Sequence, residues 1–362
     1  MQIMYIFIAI LAFGFLIAIH ELGHFFAAKA LGVKVNEFAI GMGPKLFKKQ
    51  GKETLYTLRA LPIGGFCAMD GQDELVDNPR AFTSQKRWRR VVILLAGSLF
   101  NFIAAFILIV LLTSGIQGFT GTTLTGIADG FPNQGEQGLM AGDTLHSING
   151  ERLFYIQDFQ LFMHLAEMAG NREVDLVIIR DGQRIELNNF PLERREFPTA
   201  DGQTSLRFGF YFNLIEAGFA QNLRFSAYTA MNYVRMIRIS LAQIFTGQAG
   251  RDQISGVVGI VDVMQNAGLQ APTFIAGLTS IAGITALIGV NLAVMNLLPI
   301  PALDGGRILF IAISWVVEKV SRKDLDPKYE GYIHTGTMVL LFGLMIFLFY
   351  NDIVNIVTRF QN

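Results

Sequence analysis

The sequence predicts a polytopic α-helical membrane protein with about four transmembrane helices and a small extramembrane α+β insert. Three observations carry that expectation. Of 362 residues, 52% are hydrophobic and 16% charged, with mean hydropathy +0.42, whereas soluble domains carry about a quarter charged residues. Four stretches are long and clean enough to cross a bilayer, which takes about 20 apolar residues. Between the second and third, short β-rich runs alternate with glycine turns. The formal net charge is zero, so nothing points to nucleic acid. The single cysteine, Cys67, excludes an intrachain disulfide.

The first span runs from Ile3 to Ala28 and the second from Val91 to about Gly115. The third lies within Ala271 to Leu303, which holds no charged residue, and the fourth runs from about Thr335 to Tyr350. A further apolar piece, Ile308 to Val317, is too short to cross and is expected to re-enter or lie at the surface. No Lys or Arg precedes the first apolar run, so it reads as a retained span and not as a cleaved signal. Lys and Arg crowd the loop after span one (from Lys29 to Arg90) and the loop before span four (Lys319, Arg322, Lys323, Lys328). Both loops are therefore expected in the cytoplasm, with the insert outside.

Residues 1–121 hold the first two spans and a cytoplasmic β-loop. Within that loop Pro62 and Gly64-Gly65 suggest a turn or hairpin with an exposed edge, to which an unwound peptide could add as a strand. Residues 122–196 form the insert. Gly142-Asp143, Asn149-Gly150 and Asp181-Gly182 mark its turns, and Tyr155 to Ala169 its helix. His146 and His164 fall in it and read as surface or packing residues. Residues 197–270 read as a linker in which Gly218 to Gly247 is an amphipathic helix, lying at a membrane interface or against the insert. Residues 271–362 hold the last two spans.

The chemistry concentrates in Ala18 to Phe26, AIHELGHFF. His20 and His24 stand four apart, so on a helix they share a face about 6 Å apart along the axis. Two such imidazoles can hold one zinc ion, and Glu21 beside the first can take a proton from water at the metal. In a soluble helix these residues could be a solvated face. In hydrocarbon that reading fails, because ionisable groups there cost several kcal/mol unless paired or functional.

Two imidazoles need a third protein ligand. His146 and His164 are expected outside, and Asp304 is the better candidate than these or His334. It ends the charge-free third span in NLLPIPALDGG, where two prolines and a Gly-Gly break the helix at the cytoplasmic side. The bland alternative is an Asp that merely caps the next helix.

Taken together, His20-Glu21-x-x-His24 in a first span, an α+β insert, and Asn296 with Leu303-Asp304-Gly305 in a third resemble the site-2 protease family of intramembrane zinc metalloproteases. The similarity is greatest to the bacterial branch that acts in stress-response signalling. The resemblance implies that His20, His24 and Asp304 bind Zn2+ and that Glu21 is the general base. It implies that Asn296 helps hold the substrate and that the Gly64-Gly65 loop is a membrane-associated β-element receiving it. The insert resembles a PDZ domain of the circularly permuted bacterial kind, present once. Ile254 to Ile260 resembles a family segment with Val257 in place of the usual Pro. By the same resemblance the protein sits in the bacterial inner membrane and acts in regulated intramembrane proteolysis. Its substrate would be a single-span protein, such as an anti-sigma factor, already cut by another protease.

Two other classes of protein compete with this reading. A metal transporter needs polar residues strung along a path, but spans two and four offer little beyond Ser98 and Asn101. A non-catalytic scaffold using the PDZ-like insert gives no reason for Glu21.

Overall fold

A computed structural model describes residues 1–72, 76–198, 203–247, 256–322 and 327–361. It divides into two compact units, Met1–Leu112 with Tyr233–Asn362, and Thr113–Asn232. The chain opens with α1 (Gln2–Ala30), β1 (Val35–Gln50), β2 (Leu55–Met69) and α2 (Arg87–Thr113). The insert follows with β3 (Gly118–Ile127), β4 (Thr144–Ile148), β5 (Glu151–Arg152), α3 (Ile156–Met168), β6 (Glu173–Arg180) and β7 (Gln183–Pro191). It closes with β8 (Arg195–Pro198), β9 (Thr204–Arg207) and β10 (Phe210–Glu216). Then come α4 (Phe219–Phe245), α5 (Val257–Gln270), α6 (Phe274–Met295), α7 (Asp304–Ser321) and α8 (Pro327–Gln361).

Among the described residues four helices are long and apolar enough to cross a membrane: α1, α2, α6 and Gly331–Val354 of α8. All four coincide with the expected spans, and the chain is a multi-pass membrane protein. Helix is what hydrocarbon demands, since it satisfies every backbone N–H and C=O within the segment. The apolar piece expected to re-enter or lie at the surface, Ile308 to Val317, lies in α7, where Leu309, Trp315 and Val316 are exposed.

In the membrane unit α1 packs against α5 and α6 through Tyr5, Ala9, Leu16, Met264, Ile281 and Ile288. Asp352 of α8, 2% exposed, accepts hydrogen bonds from the N–H groups of Gly256 and Gly259 at 3.1 and 2.9 Å, capping the first turn of α5. Of the Ile254–Ile260 segment, Ile254 and Ser255 lie outside the described residues.

β1 and β2 are one long antiparallel hairpin, with Gln50 opposite Leu55 at its tip and Val35 opposite Met69 at its base. The connecting turn is at Gly51–Thr54, where the Gly51 N–H meets the Thr54 carbonyl at 2.9 Å. The turn expected at Pro62 and Gly64-Gly65 is therefore not the hairpin's turn. Those residues lie inside β2 where the hairpin folds over, so that Glu37 to Ile40 lie beside both Leu55 to Leu58 and Gly65 to Ala68. Gly64 takes a φ of +92° in this fold, a conformation that favours glycine. The fold reaches down α1: a Cβ on Gly14 would stand 2.0 Å from the Pro62 carbonyl oxygen.

The other unit is a sheet in the order β10-β3-β4-β6-β7, with β5 paired to β4. Its core holds Leu145, Ile148, Phe159, Met163, Leu176 and Ile178, all below 2% exposed or nearly so. The turns at Asn149-Gly150 and Asp181-Gly182 have positive φ at both residues, as the sequence suggested. Asp143 is buried against the Arg180 guanidinium, at 2.7 and 2.8 Å. The unit does not stop at Glu196. β10 pairs with β3 from Phe210 opposite Ile127 to Glu216 opposite Gly118, so a strand closes the sheet from within the stretch read as linker. Pairing across that sequence separation has no local signature. α4 matches the expected helix, and its Phe225 and Tyr228 join Phe119, Phe154 and Tyr155 in this unit.

Within the hairpin Glu37 is the polar hub, bonded to Thr57 at 2.7 Å, Arg59 at 2.8 Å and Lys45 at 3.1 Å. Burial alone would raise its pKa, but these donors outweigh burial and hold the carboxyl down at about 2. A depressed folded-state pKa contributes stability above the ordinary carboxylate range, and that contribution is lost as pH falls through about 2. Glu37→Gln is therefore expected to lower the melting temperature at neutral pH, with the gap to wild type closing between pH 4.5 and about 2. Thermal unfolding in detergent across that range measures it. A gap independent of pH would count against the hub.

Candidate metal centre

His20 and His24 project from the last third of α1, and Asp304 is the first residue of α7. Between α6 and α7 the prolines and Gly-Gly end one helix and start the next. The loop closes where the Gly305 N–H meets the Asn296 carbonyl at 2.8 Å. This turns the Asp304 carboxylate toward the two imidazoles. Its Oδ2 lies 3.1 Å from His20 Nε2 and 3.2 Å from His24 Nε2, and the two Nε2 atoms are 3.1 Å apart.

These three donors form a nearly equilateral triangle. Ligands about 2.0–2.1 Å from a tetrahedral zinc stand roughly 3.3–3.4 Å from one another, so the triangle fits one face of a zinc tetrahedron. His24 Nδ1 lies 2.9 Å from the Ile93 carbonyl oxygen. A carbonyl only accepts, so Nδ1 carries the proton and Nε2 presents its lone pair to the triangle.

The fourth direction opens into a cavity of about 450 Å³, lined by Glu21, Cys67, Gln72, Asn296 and Arg307 besides the triangle. Glu21 Oε2 accepts the Cys67 backbone N–H at 2.9 Å. That N–H belongs to the outer side of Gly65 to Met69, whose other side pairs with β1. Among the described residues no strand covers this outer side. Burial, reinforced by Glu21, pushes the Cys67 thiol up to about 12, so it adds no charge to the site at neutral pH.

The structure thus brings His20, Glu21, His24, Asn296 and Asp304 together. The Asn296 amide nitrogen lies 3.4 Å from both ring nitrogens of His20. Gly65 stands beside Glu21, with 3.7 Å between the Glu21 Cγ and the place of a Cβ on Gly65. Gly64 faces the Met42 side chain instead. His146 and His164 belong to the other unit.

Sequence reasoning missed Gly97 on α2. A Cβ there would stand 2.5 Å from His24 Nε2 and 2.7 Å from His20 Cε1. One turn before it, Ile93 supplies the carbonyl that orients His24, and Gly23 of α1 meets the Ala96 carbonyl just as closely, at 2.3 Å from its would-be Cβ. The available signal was the run of small residues, Ala96-Gly97-Ser98, inside an otherwise bulky span.

A zinc-type donor triangle with two imidazoles on a membrane-spanning helix, together with an acid and a strand edge uncovered among the described residues, points to a membrane metalloprotease. Comparison with known proteins agrees. The chain belongs to peptidase family M50, the site-2 proteases, which it matches over residues 8–344. It is 35% identical to a Clostridium acetobutylicum protein named as a zinc metalloprotease, over 96% of each chain. A Clostridium perfringens protein of the same description is also 35% identical, over 97% of this chain and 99% of its own. The regulator of sigma-W protease RasP of Bacillus subtilis is 28% identical over 95% and 97%. The protein is accordingly a metalloprotease using Zn2+.

Gly97→Ala is expected to displace both imidazoles and weaken zinc binding by about 10–100-fold, the scale set by loss of ligand orientation. Zinc content after dialysis against a graded chelator series measures it. Retention equal to wild type would show that α2 does not set the positions of the imidazoles.

Proposed function

We propose that this intramembrane zinc protease cuts a peptide bond within or near the transmembrane segment of another membrane protein, with zinc held by His20, His24 and Asp304. The observation that carries the proposal is the cavity in which the donor triangle, the Glu21 carboxylate and a strand edge that no other strand covers among the described residues meet. Zinc, when bound, supplies Lewis acidity that lowers the pKa of a water to about 7 and polarises a carbonyl. Glu21 takes the proton of the attacking water and returns it to the leaving amine. Its bond to the Cys67 N–H fixes one carboxylate oxygen and leaves the other for this work.

A helical substrate hides its amides, so it must unwind before it is cut. Adding it as a strand along Gly65 to Met69 would replace the lost helical hydrogen bonds and carry its carbonyls past Glu21. Asn296, at the rim of the same cavity, is suited to hold that extended segment. The basic loops favour a cytoplasmic site and an outside insert, and likeness to bacterial members of the family supports a bacterial inner membrane. The insert's sheet and single main helix suit a PDZ-like domain that docks or sizes substrates already trimmed outside. The Bacillus relative is named as a regulator of sigma-W, which supports an anti-sigma factor as the substrate class and a role in regulated intramembrane proteolysis.

Cleavage of a single-span membrane protein by wild type and Glu21→Gln is the primary test. The variant is expected to lose about 10²–10⁴-fold in rate, the worth of a general base, while keeping its zinc. Asp304→Ala is expected to lose zinc and activity together. Retained cleavage in Glu21→Gln would remove Glu21 from the reaction. For the insert, a form lacking it is expected to cut untrimmed substrates that wild type spares, and identical selectivity would refute the filter.

A further inference from the structure

A second cavity, of about 770 Å³, lies between the start of α2 and α7, away from the donor triangle. It is lined by Lys86, Arg87 and Arg90, and by Trp88 and Trp315. These are both tryptophans of the chain. None of the lining residues is acidic. Arg87 is paired to Glu318, and Lys86 and Arg90 stand beside it among the cations of the wall.

Position decides what this chemistry is for. Arg87 to Arg90 immediately precede the apolar run of α2, so they mark the boundary of the hydrocarbon. The two indoles are half-exposed, at 55% and 49%, and tryptophan concentrates at the headgroup level. Arg89 lies over the Trp88 ring and Lys319 over the Trp315 ring, at 5.5 and 5.2 Å to the centroids. The floor is apolar, formed by Val91, Ile308 and Ile311. A cationic rim over an apolar floor at the membrane boundary matches a phosphate headgroup with its acyl chain below.

We propose that this cavity binds one anionic phospholipid, its phosphate among Lys86, Arg87 and Arg90 and its chain against α2 and α7. The bound lipid would then rest on α7, whose first residue is Asp304. The inference depends on the membrane-spanning character of α2 and not on the proteolytic reading.

Because both indoles line the cavity, their fluorescence reports on it directly. The full-length protein is reconstituted in phosphatidylcholine vesicles containing brominated phosphatidylglycerol or, in parallel, brominated phosphatidylcholine at equal mole fraction. Quenching is expected to give about a tenfold preference for the anionic lipid, a scale set by two or more basic groups at the surface. Lys86→Gln with Arg90→Gln should reduce that preference to near unity, and Glu318→Gln should raise it. Equal quenching by the two lipids in wild type overturns the proposal without recourse to any variant. A preference unchanged in both variants places the lipid elsewhere and also overturns it. Soluble glycerol phosphate at millimolar concentration should not compete. Full competition would make the cavity a free-phosphate site and defeat the lipid assignment.

Discussion

The close approach of α1 and α2 is the constraint on which the site depends. Two imidazoles and a carboxylate can converge in hydrocarbon only if a neighbouring helix leaves space for them and answers their remaining polar atoms. At Gly23 and Gly97 the two helices lack the side chains that would hold them apart. One turn away the Ile93 carbonyl accepts the hydrogen bond of the His24 Nδ1–H. The same helix that clears the space therefore also sets the tautomer. Bulk at that crossing would cost the site both together.

The hairpin β1–β2 answers a different problem. A strand near the hydrocarbon exposes backbone groups that water cannot satisfy, at several kcal/mol each. Folding the hairpin over on itself pairs its base with its own tip and leaves one outer side, Gly65 to Met69, facing the cavity. Of the groups there, the Cys67 N–H is met by Glu21. Met42, Leu46, Phe47 and Leu61 are exposed on this hairpin and give it an apolar outer surface.

The break between α6 and α7 joins the two. It ends one helix at Asn296 and begins the next at Asp304, and both residues face the cavity. Asp304 does sit in the first turn of a helix, as the capping alternative held, yet its carboxylate is turned to the imidazoles. A helix start and a place in the donor triangle are compatible because the loop before it, not the helix, sets the direction of the side chain.

What the sequence determined by itself was everything encoded in short range. Apolar length fixed the four spans, and dipeptides such as Asp181-Gly182 fixed the hairpin turns, because both depend on contiguous residues and one solvent. The spacing of His20 and His24 was legible for the same reason, since a helix makes four-apart residues neighbours. Asp304 could be singled out only because an acid in a charge-free span demands an explanation. Tertiary structure decided the rest. That Gly97 makes room for the imidazoles, that β10 closes the insert's sheet, and that Gly64 marks a fold and not a turn all rest on contacts between distant segments. Close packing fixes such contacts through shape, and a glycine or a short strand carries no mark of which neighbour will need it.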